Sequence, residues 1–219
     1  MQSGIIWMER FLNTKARQEK IDKVLENRQP NLQLFLDDVH DSHNLSAILR
    51  SCDAIGLLYL YYTNPNNQNL KIHKTITQGT QRWVEQKKIH NNKKVEFLKQ
   101  KQKEGFQLIT THLDEKAINF RTIDYTQPTM VIIGNEKEGV SKEILAISDK
   151  NIIIPMKGMV QSLNVSVATS LILYEAQRQL EINGNYDKPE LSQEERVKIK
   201  EKWVFRDTVA RRSKGKIPC

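Results

Sequence analysis

"IIIPMKGMVQSLNVSVATSLILYE", residues Ile152–Glu175, opens as a strand and closes as a helix. Between them stand Gln161, Ser162, Asn164 and Ser166, polar side chains in a segment otherwise fit for a core. Ser162 or Asn164 can cap the helix that follows, a common role for both residue types. A cap does not explain four polar groups within six residues, nor the loop before them that holds Met156, Gly158 and Met159.

Working outward, strands alternate with helices. Apolar runs "LQLFLDDV" (32–39), "LLYLYY" (57–62), "FQLITT" (106–111), "TMVIIG" (129–134) and "NIIIPM" (151–156) read as strands, with "VEQKKIH" (84–90) as a short one. Between them, 43–56 reads as a helix with Asn44 at its cap, and Leu45, Ile48, Leu49 and Cys52 form its i, i+3, i+4, i+7 face. Residues 92–104 and 141–147 are shorter helices, and 164–183 is the long one. "TNPNNQN" reads as a loop and "TQGTQRW" as irregular. This alternation predicts an α/β domain with a mainly parallel sheet and helices on both faces, because near-continuous apolar strands need cover on both sides.

The two ends differ from this body. A helix over 14–28 starts at Thr14 as cap, and a capping box of Ser192 with Glu195 starts a basic C-terminal helix. The chain of 219 residues carries a formal net charge of +8. Residues 1–31 contribute +2 and residues 188–219 contribute +5, leaving +1 for 32–187. The organisation read from this is an N-terminal helical extension (1–31), a catalytic or ligand-binding body (32–187) and a basic C-terminal extension (188–219). Charge concentrated at the ends suggests polyanion-binding appendages. Ile199 and Trp203, four apart, can dock the C-terminal helix, leaving Arg196, Lys198, Lys200 and Lys202 for a polyanion backbone.

Several classes are excluded. No apolar run approaches the roughly 20 residues of a membrane helix, and "MQSGIIWMER" is too short in apolar residues for a signal peptide. Cys52 and Cys219 make no disulfide framework. The expectation is a cytoplasmic protein. "GNEKEG" lacks the dinucleotide spacing, there is no P-loop lysine, and His40 and His43 have no cysteine partners, so no metal is expected.

In open α/β sheets ligands bind at the carboxyl ends of strands. Three ends stand out here: "TTHL", "GNEKEG" and "PMKGMVQSLN". "HNLSAILR", "MVIIGNEKEGVSKE" and "DKNIIIPMKGMVQSLNVSVATSLILYE" resemble the three signature motifs of the SpoU/TrmH branch of the SPOUT methyltransferases. The resemblance spans roughly 14–187, and "TTHL" and "DYTQPT" add to it. It implies an α/β fold with a C-terminal trefoil knot, S-adenosylmethionine as cofactor, a homodimer, and tRNA as partner, with 2′-O-methylation of guanosine 18 in the D-loop. Only about 31 residues precede the first strand, too few for the extra domain common in relatives that act on ribosomal RNA, which supports tRNA. Ribosomal RNA, another tRNA position, or a catalytically silent RNA-binding protein on the same core are the alternatives.

By resemblance, Arg50, the last residue of N-x5-R, is the catalytic residue. Without the motif it reads as a surface arginine pairing with Asp53 or Ser46. Asn44, Ser162, Asn164 and Glu136 join it in the catalytic set. Thr111, Gly134, Ile154, Met156 and Leu163 match positions that hold the cofactor, mostly through backbone atoms. Arg206, Arg211, Arg212, Lys214 and Lys216 are the expected RNA contacts.

Overall fold

The apolar runs become strands. In this computed structural model the described residues are 15–39, 41–64 and 72–213, the side chains of Lys74 and Arg212 excepted. Seven strands form one sheet: β1 (Gln29–Asp37), β2 (Leu57–Tyr62), β3 (Glu85–Lys88), β4 (Gln107–Thr111), β5 (Ile118–Asn119), β6 (Thr129–Gly134) and β7 (Lys150–Ile153). Their spatial order is β3-β2-β1-β6-β4-β7-β5. The pairs β1–β6, β2–β3, β4–β6, β4–β7 and β5–β7 are parallel. β1 and β6 are aligned so that Phe35 lies opposite Ile132 and Asp37 opposite Gly134, which brings the carboxyl ends of these central strands level.

Successive residues of a strand face opposite sides. Phe35, Leu108, Met130 and Ile132 join Leu98 of α4 (Lys94–Lys103) and Ile144 of α5 (Lys142–Leu145) in one buried cluster. Their neighbours Leu34, Ile109, Val131 and Ile133 are equally buried, so the other face is covered as well. Two further helices, α2 (Ser42–Ala54) and α6 (Val165–Ile182), pack together and share a Ser51–Ser170 hydroxyl hydrogen bond of 2.7 Å. A single-turn helix α3 (Lys74–Thr77) and the two-residue strand β5 lie where the sequence suggests only irregular chain.

Asn164 caps α6, its side chain accepting from the Ser166 N–H. At α2 the sequence reading needs correction. The cap is Asp41, whose carboxylate accepts from the Asn44 N–H at 2.8 Å, and Asn44 itself lies inside the first turn. Both residue types cap well; Asp41 takes the role because the Asn44 side chain is engaged elsewhere.

A buried ion group lies at the end of β1. Asp37, at the end of β1, receives Lys94 at 2.9 Å, and Lys94 also meets Glu143 at 3.1 Å. Burial alone would lower the Lys94 ammonium, but its bonds to Asp37 and Glu143 outweigh this and raise it above its ordinary value. A backbone N–H, and then Lys94, hold Glu143 below the usual carboxylate range.

The chain divides into two compact units, one spanning Pro30–Gly184 and the other combining residues up to Gln29 with those from Asn185 onward. In the second, α1 (Lys15–Glu26) packs with α7 (Gln193–Arg212), which starts at the Ser192–Glu195 capping box. Ile21 and Leu25 of α1 are buried, as are Ile199, Trp203 and Val204 of α7. The Arg28 guanidinium lies 5.0 Å from the Trp203 ring centre. Arg17 bonds Asp207 at 2.9 Å and Lys200 bonds Asp22 at 2.6 Å. Thr14 and the turn or two expected before it lie outside the described residues.

Candidate active site

The carboxyl ends of β4, β6 and β7 open into a cleft of about 1080 Å³. All five residues expected at the cofactor, Thr111, Gly134, Ile154, Met156 and Leu163, line it, as do Glu136, Ser162 and Asn164 of the expected catalytic set. Ile133, Ile152 and Ile172 give it apolar walls. The parallel sheet produces this convergence, because level strand ends deliver their loops to the same side.

The loop after β6 has a defined shape. A Cβ on Gly134 would fall 2.0 Å from the Gly139 carbonyl carbon, so only glycine lets the two arms of the loop approach this closely. Gly139 has φ +70°, where a side chain would be strained. Asn135 closes the turn, its side-chain oxygen accepting from the N–H groups of Lys137 and Glu138. The far end is fixed by the buried charge: the Ser141 N–H donates to the Asp37 carboxylate at 2.8 Å.

Asn44 joins the three motifs. Its Nδ2 donates to Glu136 at 2.6 Å, and its Oδ1 accepts from the Asn164 amide at 3.0 Å. Asn164 Oδ1 then accepts from the Ser166 N–H at 2.8 Å and its hydroxyl at 2.6 Å. Each amide thus has a fixed orientation, and Asn164, one of the polar groups that stand out in the opening stretch, has its partner 120 residues away along the chain. Ser162 is exposed at the cleft and enters no hydrogen bond with another described residue.

Arg50 is exposed on α2 and makes no hydrogen bond or ion pair with another described residue. The surface pair with Asp53 or Ser46 is not formed: Ser46 instead donates to the Ser42 carbonyl and accepts from the His73 N–H.

Arg206 and Arg211 are half-buried on α7. The Arg212 side chain, Lys214 and Lys216 lie outside the described residues. Two of the helix's other cations are already paired, Lys198 with Glu194 and Lys200 with Asp22, while Arg196 bonds Gln193. Lys202 remains exposed and without a partner among the described residues.

Asp37, Lys94, Ser141 and Asp41 were not singled out from sequence. Asp37 did carry a signal, since an acid that directly follows the buried run Leu34–Leu36 needs a charged or hydrogen-bonding partner.

The chain is similar to known proteins over most of its length. The chain is 48% identical over 204 residues to the tRNA (guanosine(18)-2′-O)-methyltransferase of Aquifex aeolicus, covering 93% of this chain and 96% of that one. The crystal structure of the A. aeolicus TrmH/SpoU tRNA modifying enzyme superposes with a TM-score of 0.84 at 50% identity, over 88% of this chain and 97% of that one. The SpoU methyltransferase AviRb from Streptomyces viridochromogenes, in complex with the cofactor AdoMet, matches with a TM-score of 0.61 at 27% identity, over 73% of this chain and 62% of that one. The family model of the SpoU rRNA methylases matches residues 31–174, the span that builds the sheet and the Asn44–Glu136–Asn164 junction, and the chain belongs to that family.

Proposed function

We propose that this protein transfers a methyl group from S-adenosylmethionine to the ribose 2′-oxygen of guanosine 18 in the D-loop of tRNA. The carrying observation is Asn44, which binds Glu136 and Asn164 at once and so draws three motif loops to one end of the cleft. The family's description names ribosomal RNA. The Aquifex relative, matched nearly end to end, is named for tRNA, and this supports tRNA here.

The cleft suits the cofactor. Its apolar walls fit the faces of a purine, and Thr111, Gly134, Ile154, Met156 and Leu163 would hold it, largely through their backbone. When bound, S-adenosylmethionine supplies an electrophilic methyl on a sulfonium. Ser162 and Asn164 would position the ribose, with Asn44 and Glu136 holding Asn164 in register. A guanidinium group does not act as a general base, so Arg50 takes another role. Its planar fork grips a substrate phosphate and stabilises charge developing on the 2′-oxygen, and the proton leaves to that phosphate or to water.

The same proposal includes a cytoplasmic homodimer and the knotted threading of the loop 156–164 that the resemblance implies. Val167, Leu171 and Tyr174 stand 47%, 42% and 52% exposed on α6, at i, i+4, i+7 spacing, and Met159 is 99% exposed beside the cleft. Such a stripe suits a partner surface. Light scattering should give about twice the 25.5 kDa chain mass, and a monomer at micromolar concentration would refute the dimer. The terminal unit, with Arg206, Arg211, Arg212, Lys214 and Lys216, is proposed to bind the tRNA backbone.

The activity is tested by digesting tRNA from a strain lacking this protein and adding purified enzyme back. Loss of 2′-O-methylguanosine at position 18, restored with S-adenosylmethionine, is the expected result. Unchanged modification at that position would overturn the reading.

A further inference from the structure

Two exposed histidines stack beside the site. His43, in the first turn of α2, and His73, just before α3, have ring centres 4.2 Å apart and planes 27° apart. His73 is not a loose surface side chain. The His73 N–H donates to the Ser46 hydroxyl at 2.9 Å, and its Nε2 is bonded to the Ser42 hydroxyl at 2.8 Å. Ser46 is in turn fixed to the Ser42 carbonyl at 2.6 Å. The α2 serines thus hold the His73 ring against His43 in solvent, where neither ring gains from a covered core.

Their position is as telling as their rigidity. His43 immediately precedes Asn44. It is also seven residues from Arg50 on the same helix, so the two fall within about 20° of one face and about 10.5 Å apart along the axis. One exposed face of α2 therefore offers a flat π-surface at one end and, at the other, a guanidinium without a partner among the described residues, separated by about 10.5 Å.

We infer that the His43–His73 pair is a shelf for the nucleobase of the nucleotide being methylated, with Arg50 on that nucleotide's phosphate; this rests on the function proposed above. Single-stranded RNA is recognised by splaying a base onto an aromatic side chain, histidine included, while phosphate contacts fix its register. Stacking tolerates any base, so the shelf supplies position for the ribose at Ser162 and Asn164 and leaves base choice to other contacts.

The test measures methylation of full-length tRNA transcripts by the full chain and by its His73→Ala, His43→Ala and His73→Phe variants. A second transcript is abasic at position 18. His73→Ala leaves the N–H bond to Ser46 in place, and S-adenosylmethionine affinity by calorimetry reports that the fold is intact. On the normal transcript His73→Ala and His43→Ala should raise KM for tRNA roughly 5- to 150-fold, the range of a lost base–aromatic stack. His73→Phe, which keeps the π-face, should stay near wild type. On the abasic transcript wild type and His73→Ala should coincide. With 2-aminopurine at position 18, the His73→Ala complex should fluoresce more brightly than the wild-type complex.

If the alanine variants match wild type on the normal transcript, or lose as much on the abasic one, the shelf is overturned while the methyltransferase reading stands. If the wild-type chain fails to methylate tRNA at all, the proposed function falls and takes the shelf with it.

Discussion

Arg28 and Arg50 carry the same group in opposite settings. Arg28, in the terminal unit, is wholly buried, with its guanidinium over Trp203. Arg50, in the sheet unit, stands in solvent with no partner among the described residues. A buried guanidinium must be met by the fold, here in part by an aromatic face that attracts cations. An exposed one without a partner keeps its five donors for something outside the chain. The terminal unit thus pairs several of its charges internally, as Arg17–Asp207 and Lys200–Asp22 also show. The sheet unit buries Lys94 with Asp37 and leaves Arg50 outside.

The buried side of this contrast should break hardest. Trp203→Ala should cost about 3–5 kcal/mol, seen as a lower Tm, while S-adenosylmethionine binding persists below the transition. An unchanged Tm would mean that Trp203 and Arg28 are not structural. Lys94→Met should cost a similar amount, about 3–5 kcal/mol, because it strands the Asp37 carboxylate in the interior. This ion group also sets a pH response. Lys94 is raised from 10.5, so its contribution is complete below that value and is lost as pH rises through the folded value. Glu143 is lowered from 4.5, so its contribution is present above that value and is lost as pH falls through the folded value. Denaturation profiles of wild type and Lys94→Met should therefore differ across neutral pH and converge at both extremes. Parallel profiles would remove the ion group from the stability argument.

The exposed side should leave stability alone. Arg50→Ala should lower turnover about 10²–10³-fold, with Tm and S-adenosylmethionine affinity near wild type. Arg50→Lys should fail as well, since a point charge cannot reproduce the bidentate fork; an active lysine variant would defeat the phosphate-grip argument. The smallest effect is expected at Lys202, which is exposed on α7. Lys202→Ala should weaken tRNA binding slightly and reduce its salt slope by about 1. No change in slope would move RNA contact away from this face of the helix.

Elements whose cause is local were legible in the sequence. Apolar runs gave β1, β2, β4, β6 and β7, and Ser192 with Glu195 marked the start of α7. The convergence of the loops that line the cleft was legible too, because parallel strand ends share a side. What escaped depends on partners far along the chain. Asn44 looked like a cap until Glu136 and Asn164, 92 and 120 residues away, claimed its amide. Lys200 looked free for RNA because Asp22 is 178 residues distant. β5 has only two residues, too few for any periodicity. The three motifs that resemble the family supplied Arg50 and the expected cofactor positions; residue chemistry alone left Arg50 as a surface side chain.

The pairing of the two chain ends bears on how the molecule is made. Arg17 and Asp207 are 190 residues apart in sequence. The ribosome releases α1 first, when its partner helix does not yet exist, so Ile21 and Leu25 stay wet while the whole sheet unit is synthesised and can fold as a unit. Only when α7 has left the exit tunnel can the terminal unit close. Contacts of such sequence separation form late and slowly. α1 and α7 should therefore gain protection from protease well after the segment between them.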